Sequence, residues 1–169
     1  MGAFTSVGKT AMMVQKLCNL IVNETNPKVI VISTEMTEEQ IMSRILGNFS
    51  GVYSQKILSG NLYQEEEERV EELKKLIAEK NIQIFDDVYE LGEIETVFRK
   101  ADLQGGVDVG FIDYVQNCRA LSASSQYQEG ATIAKGIQKL AKDVRATIVC
   151  LSQLSNDVGR GNTDQLEFK

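Results

Sequence analysis

The chain has 169 residues, of which 43% are apolar and 25% are charged, and its net charge is −6. This size suits one domain with its own core, and the acidic balance argues against a protein that coats nucleic acid through its overall field. The complete absence of histidine excludes histidine-based catalytic triads and histidine-ligated zinc.

Three scattered cysteines, Cys18, Cys118 and Cys150, form neither a disulfide framework nor a CxxC metal site. A reducing compartment is therefore expected, and we predict a cytoplasmic protein. No run approaches the roughly 18 apolar residues of a membrane span, and no signal peptide is visible.

Helices and short strands alternate along the chain. Helical spacing of apolar residues is seen at 14–21, at 41–49 after a Thr37–Gln40 capping box, and at 133–144. The apolar face predicted for the last of these helices consists of Ile133, Ala134, Ile137, Leu140, Ala141 and Val144. The acidic run at 65–75 is interpreted as a solvated helix face rather than an acidic binding tail, because apolar residues form a seam along it: Val70, Leu73, Leu76 and Ile77. Continuous apolar runs predict strands buried on both faces: "VIVIS" at 29–33, "IQIF" at 82–85, "VGFID" at 109–113 and "TIVCLS" at 147–152. The expected fold class is α/β, with a mostly parallel sheet flanked by helices on both faces.

The stretch "GAFTSVGKTA" at 2–11 fits a phosphate-binding loop, with Ala3 in place of the usual first glycine. Ser6 and Gly8 allow successive backbone N–H groups to turn towards an anion. Lys9 is placed to reach the β- and γ-phosphates, and Thr10 to bind Mg²⁺. Taken alone, the motif could also be an ordinary helix start.

Polar residues lie at or just after the ends of three of the predicted strands: Glu35, Asp113 and Gln153. Parallel sheets bind ligands at the edge where their strands end, so we expect these side chains to gather there. Glu35 could polarise an attacking water, Asp113 could hold Mg²⁺, and Gln153 could sense a γ-phosphate.

Four ordered segments resemble motifs of the RecA-like motor domain of DnaB-type replicative helicases, and the resemblance covers essentially the whole chain. The segments are "GAFTSVGKTA", "ISTEMTEEQIMSRIL", "FIDYVQ" and "VCLSQLS". Family members show GARPSMGKTA, SLEMS followed by EQ and R, IDYLQL and ALSQLNR. The resemblance implies a P-loop ATPase that binds and hydrolyses Mg-ATP, assembles into a hexameric ring and moves along single-stranded DNA in replication. A primase or a helicase loader is a further candidate partner. The resemblance also implies a protein of a bacterium, or of a phage acting in the cytoplasm of its host.

The resemblance also implies a role for each matching residue. Lys9, Glu35 and Gln153 would be catalytic, with Glu35 as the base and Gln153 coupling nucleotide state to DNA contact. Thr10 and Asp113 would hold the metal. The ATP-binding residues would be Ser6, Val7, Gly8, Lys9, Thr10, Ala11 and Arg44. Candidate DNA contacts are Arg119, Arg160 and Lys169, and for each an ordinary surface charge is an equal alternative.

The sequence departs from the family pattern at both ends. We expect 1–169 to be a single but incomplete domain, lacking the strand before the phosphate loop and the later strands that carry a basic finger. Weak or absent ATP hydrolysis by this chain follows from that expectation. Two alternatives remain: another RecA-like ATPase, such as a recombinase or clock-type protein, and a non-catalytic nucleotide-binding module.

Overall fold

Strands and helices alternate in the computed structural model, which describes residues 2–3, 8–23, 25–120 and 126–153. The elements in chain order are β1 (Gly2–Ala3), α1 (Lys9–Ile21), β2 (Val29–Ser33), α2 (Glu38–Ser50), α3 (Ser54–Ser59), α4 (Gln64–Ala78), β3 (Ile82–Phe85), α5 (Leu91–Leu103), β4 (Val109–Asp113), α6 (Gln126–Asp143), β5 (Thr147–Cys150) and β6 (Ser152–Gln153), with a 3-10 turn at Val115–Asn117 after β4. The predicted strands at 29–33, 82–85 and 109–113 are confirmed at the same bounds. The predicted strand at 147–152 is instead divided, because β5 ends at Cys150 and Ser152 and Gln153 form β6. The predicted burial on both faces is wrong for β3 and β5, which are the edge strands of the sheet and are only partly buried.

The central sheet has four parallel strands in the order β3-β2-β4-β5. All five residues of β2 are buried, as expected for a strand covered on both faces. Ser33 of β2 lies beside Asp113 of β4, so the carboxyl ends of the two inner strands are level. This register brings the residues that follow β2 and β4 to one edge of the sheet.

Helices cover both faces of the sheet, and the expected α/β fold is confirmed. On one face α1, α2 and α4 pack against Val31 and Phe111. On the other, α5 and α6 pack against Ile30 and Ile32. Because side chains alternate along a strand, neighbouring residues of β2 enter the two different cores.

Two apolar residues assigned to predicted helix faces do not belong to them. Leu76 of α4 is 58% exposed, and Ala134 of α6 is also exposed. In each helix fewer residues are buried than the apolar pattern predicted. The buried residues of α4 are Val70 and Ile77, and those of α6 include Ile133.

A short strand precedes the phosphate loop, where the sequence predicted none. Gly2 and Ala3 form β1, which pairs in parallel with Ser152 and Gln153 of β6. The two strands form a small sheet beside the main one, at the end of β5. That the domain is incomplete stays a prediction.

Candidate active site

Helix α1 begins at the glycine-lysine-threonine segment and leaves its amino end open to an anion. Gly8, the residue before the helix, has φ of 86°, in the left-handed region that favours glycine. It has no side chain to make a capping hydrogen bond, and the first turn has no acidic residue. The first N–H groups and the positive end of the helix dipole are thus placed where Lys9 and Thr10 begin the helix.

Thr10 is joined directly to the acid at the end of β4. Its hydroxyl donates to Asp113 Oδ2 at 2.9 Å. Asp113 is 1% exposed, and its other carboxylate oxygen, Oδ1, is buried without a hydrogen-bond partner among the described residues. Burial raises the pKa of Asp113, and the nearby Glu35 charge adds to the rise, while the Thr10 hydrogen bond opposes it.

This pair fits a magnesium ion bound together with a phosphate. Mg²⁺ prefers oxygen ligands and is commonly held by one or two protein groups, water and substrate phosphates. A hydroxyl and a buried carboxylate with an unpartnered oxygen match that requirement. The described residues contain no cluster of three or more acidic or cysteine side chains that would hold a metal by themselves. A cation at Thr10 and Asp113 would therefore need further ligands from its phosphate.

Lys9 lies between residues from two different strand ends. Its ammonium group is 3.4 Å from Gln153 Oε1, at the donor end of a long hydrogen bond. The same ammonium lies 5.3 Å from the centre of the Tyr114 ring, within the range of a cation–π contact. The predicted neighbourhood of Lys9, Thr10, Asp113 and Gln153 is thus present in the structure.

A cleft of about 290 Å³ brings most of the remaining predicted residues together. Its lining comprises Gly8, Lys9, Thr10, Ala11, Glu35, Arg44 and Gln153. Glu35 and Arg44 are exposed, and each also lines an adjoining cavity of about 350 Å³ that extends along α2 and α3. Both charged side chains are therefore accessible to solvent at the cleft.

The predicted capping box fixes the start of the helix that carries Arg44. Thr37 Oγ1 accepts a hydrogen bond from the Gln40 backbone at 3.3 Å, and Gln40 Oε1 accepts one from the Thr37 backbone at 3.1 Å. Because Glu35 lies two residues before this cap, the cap restrains the segment between β2 and α2.

Thr34 and Asn117 connect the ends of β2 and β4, and neither was singled out from the sequence. The Thr34 hydroxyl lies 3.1 Å from the Asp113 carbonyl oxygen and accepts a hydrogen bond from the Tyr114 backbone at 3.1 Å. Asn117 Nδ2 donates to the Thr34 carbonyl at 3.2 Å. These bonds set the position of Glu35 relative to Asp113. The only sign of Thr34 and Asn117 in the sequence is that each is one of the polar residues that follow a predicted strand.

Some predicted residues are not brought to the cleft by the described structure. Arg119 is exposed, and its backbone pairs with Tyr89 and Leu91 at the start of α5. It is not among the residues that line the cleft. The remaining predicted positions, Ser6, Val7, Arg160 and Lys169, lie outside the described residues.

The parallel sheet and the lysine-hydroxyl-carboxylate cluster at its carboxyl edge define a nucleotide-binding domain of the RecA-like class. A family model described as "DnaB-like helicase C terminal domain" matches residues 1–165. The chain belongs to this family, as its motifs predicted.

Two similar proteins are named as replicative helicases. One, from Chlamydia trachomatis serovar L2, is called a probable plasmid replicative DNA helicase. It is 36% identical over 154 residues, which cover 90% of this chain and 34% of that protein. The protein called replicative DNA helicase DnaB from Buchnera aphidicola is 29% identical over 157 residues, which cover 90% of this chain and 34% of that protein. The chain thus spans about a third of the length of these relatives.

Two solved structures have the same fold. One, described as an ATPase domain, superposes with a TM-score of 0.85 at 24% identity, covering 97% of this chain and 59% of that one. A DnaB-like replicative helicase, studied for its interactions with primase, gives 0.84 at 23% identity, covering 99% and 41%. Within the described ranges, no helix has both the length and the apolar character needed to cross a membrane.

Proposed function

We propose that this chain is the ATP-hydrolysing motor domain of a replicative DNA helicase. The observation that carries the proposal is the Thr10–Asp113 hydrogen bond of 2.9 Å together with the unpartnered, buried Asp113 Oδ1. Burying a carboxylate oxygen without a partner is unfavourable, and a bound cation would offset that cost. The relatives named replicative DNA helicases support the same conclusion.

ATP would bind with its phosphates at the amino end of α1. Backbone N–H groups there, together with those of Ser6 and Val7, would bind the phosphate oxygens, and Lys9 would lie beside the β- and γ-phosphates. Ala11 follows within the first turn and lines the same cleft. Mg²⁺, held by Thr10 and Asp113, would neutralise charge that develops on the phosphates.

Hydrolysis would require a base, and we assign this role to Glu35. It lines the cleft with Lys9 and Thr10, and its position is set by the Thr34 hydrogen bonds to β4. In this role it would accept a proton from the attacking water. Arg44 lines the same cleft and would contribute positive charge near the phosphates. Gln153 would detect the γ-phosphate through the contact it shares with Lys9.

We further propose the whole protein's partners from the family resemblance of its motifs. They comprise single-stranded DNA, identical subunits in a hexameric ring and a primase or loader, with ATP held between subunits. Of the proposed DNA contacts, Arg119 is exposed, as a DNA-binding residue must be.

Thermal unfolding with and without Mg-ATP tests nucleotide binding without requiring turnover. At about 100 times its dissociation constant, ATP should add roughly 2.7 kcal/mol to the free energy of unfolding. Lys9→Ala should abolish this increase, whereas Lys139→Ala, on the exposed side of α6, should preserve it. A wild-type chain that unfolds cooperatively and shows no increase does not bind ATP, and the proposal is then wrong.

Unwinding separates the proposed function from its alternatives. A longer form of the protein should unwind duplex DNA with ATP, and Glu35→Gln should retain ATP binding while losing hydrolysis and unwinding. Strand pairing without unwinding would indicate a recombinase. Binding without hydrolysis in the wild type would indicate a non-catalytic module.

A further inference from the structure

A side chain from the turn after β4, that of Gln116, forms hydrogen bonds with strand β6. Main-chain pairing between the β4 and β5 segments ends with the Val115 N–H, which donates to the Leu151 carbonyl at 3.0 Å. The backbone after Val115 then enters the 3-10 turn at Val115–Asn117. On its other side β6 pairs with the two residues of β1.

The Gln116 amide takes the place of the missing strand neighbour. Its Nε2 donates to the Gln153 carbonyl at 2.9 Å and to Ser152 Oγ at 2.7 Å. Its Oε1 accepts a hydrogen bond from the Gln153 backbone N–H at 3.1 Å. Both main-chain polar groups of Gln153 are therefore bound by one planar amide, much as an adjacent strand would bind them.

The residue directly before the 3-10 turn, Tyr114, also contacts Lys9. Tyr114 precedes the turn and has its ring 5.3 Å from the Lys9 ammonium. Gln153, held by Gln116, accepts from the same ammonium at 3.4 Å. The position of the Gln153 side chain beside Lys9 thus depends on where the Gln116 amide holds the β6 backbone.

We propose that Gln116 is a positioning residue for γ-phosphate recognition, acting through Gln153. The inference rests on the proposed function, because Lys9 and Gln153 would meet a terminal phosphate only if the cleft binds ATP. With Gln116 in place, the Gln153 amide stays beside Lys9 and can respond to the γ-phosphate. Without it, β6 loses the hydrogen bonds that the Gln116 amide makes to Ser152 and Gln153, and the Gln153 side chain is held less closely beside Lys9.

Loss of the Gln116 hydrogen bonds should weaken the binding of ATP more than the binding of ADP. ADP lacks the group that Gln153 would sense, and its binding would depend on the phosphate loop. Losing the hydrogen bonds of one side chain at an exposed site should lower the preference for an ATP analogue over ADP by about five- to tenfold. ADP affinity should change by less than about twofold.

The test compares dissociation constants for AMP-PNP and ADP, each with Mg²⁺, measured by calorimetry. The variants are Gln116→Ala, Gln153→Ala and the double variant, with Gln138→Ala on the exposed side of α6 as the matched control. Gln116→Met, which keeps the side-chain length and removes the amide, serves if Gln116→Ala does not fold. Each single variant at 116 or 153 should lose the preference for AMP-PNP, the double variant should lose no more, and the control should resemble wild type.

Three results would overturn the inference. Equal weakening of AMP-PNP and ADP by both Gln116 variants would mean that Gln116 supports the fold only. Additive effects in the double variant would mean that Gln116 does not act through Gln153. A wild type that binds both nucleotides equally would remove γ-phosphate recognition but leave nucleotide binding intact, whereas a wild type that binds neither would overturn the proposed function itself.

Discussion

Asp113→Asn should stabilise the protein in the absence of nucleotide and remove its response to Mg-ATP. Asp113 is 1% exposed, and its Oδ1 has no hydrogen-bond partner among the described residues. An asparagine has nearly the same shape, and its carbonyl can still accept the hydrogen bond that Thr10 makes at 2.9 Å. The substitution therefore removes a buried charge with little change in packing.

The size of the effect follows from the cost of the unpartnered charge. An unsatisfied neutral amide N–H costs less than an unsatisfied carboxylate oxygen, and we expect a gain of about 1–2 kcal/mol in the free energy of unfolding. For a domain of this size that is an increase of about 2–8 °C in melting temperature. Functional sites often carry such a cost in stability.

The stability difference should depend on pH with a defined sign. Burial raises the folded-state pKa of Asp113 above its ordinary value of 3.8. The folded protein then holds this proton more tightly than the unfolded chain does, so its stability falls as pH rises from 3.8 through the raised pKa. The gain from Asp113→Asn should thus be full above the raised pKa and shrink as pH falls from that pKa towards 3.8.

Thermal unfolding at pH 7, with and without Mg-ATP, measures both effects. Asp87→Asn makes the same chemical change at an exposed carboxylate and should alter stability by less than about 0.5 kcal/mol. In Asp113→Asn the stabilisation by Mg-ATP should be largely lost, because the metal would lose its charged ligand. A variant that is less stable than wild type and keeps the full nucleotide response would refute this reasoning.

Other predictions concern the core and two titrating groups. Gly110→Ala should destabilise the fold by about 1–3 kcal/mol in urea unfolding, because its new Cβ would lie 2.5 Å from the Phe98 ring. Gly130→Ala, in open space on α6, should instead be neutral or stabilising by up to about 1 kcal/mol; equal effects would contradict the packing. Burial raises the pKa of Cys18 to about 11, so iodoacetamide at pH 8 should modify it in urea and spare it in the native protein. The hydrogen bond from Lys56 lowers the pKa of Glu66 below 4.5. The ion pair should therefore contribute stability above pH 4.5, and this contribution should be lost as pH falls through the lowered pKa. Lys56→Met should raise the titration midpoint of the Glu66 carboxyl measured by NMR, and an unchanged midpoint would rule out the pairing.

Local patterns in the sequence were sufficient for the fold class and for most of the site. Continuous apolar runs identify strands because a strand covered on both faces must be apolar at successive positions, as β2 is. Strand ends then locate Glu35, Asp113 and Gln153, since parallel strands end at a common edge. The Thr37–Gln40 capping box was also predictable, because both partners lie within one helical turn.

Tertiary structure decided the features that depend on contacts distant in sequence. The pairing of Gly2–Ala3 with Ser152–Gln153 joins the two ends of the described chain, and no local pattern identifies a two-residue strand. The hydrogen bonds of Gln116 to Gln153 and the Thr34 link to Asp113 depend on strand register and on the turn after β4. A single sequence specifies which polar residues follow each strand. Only the packed sheet determines which of them are within hydrogen-bond distance of one another, because a hydrogen bond requires separations that a pattern along the chain does not contain.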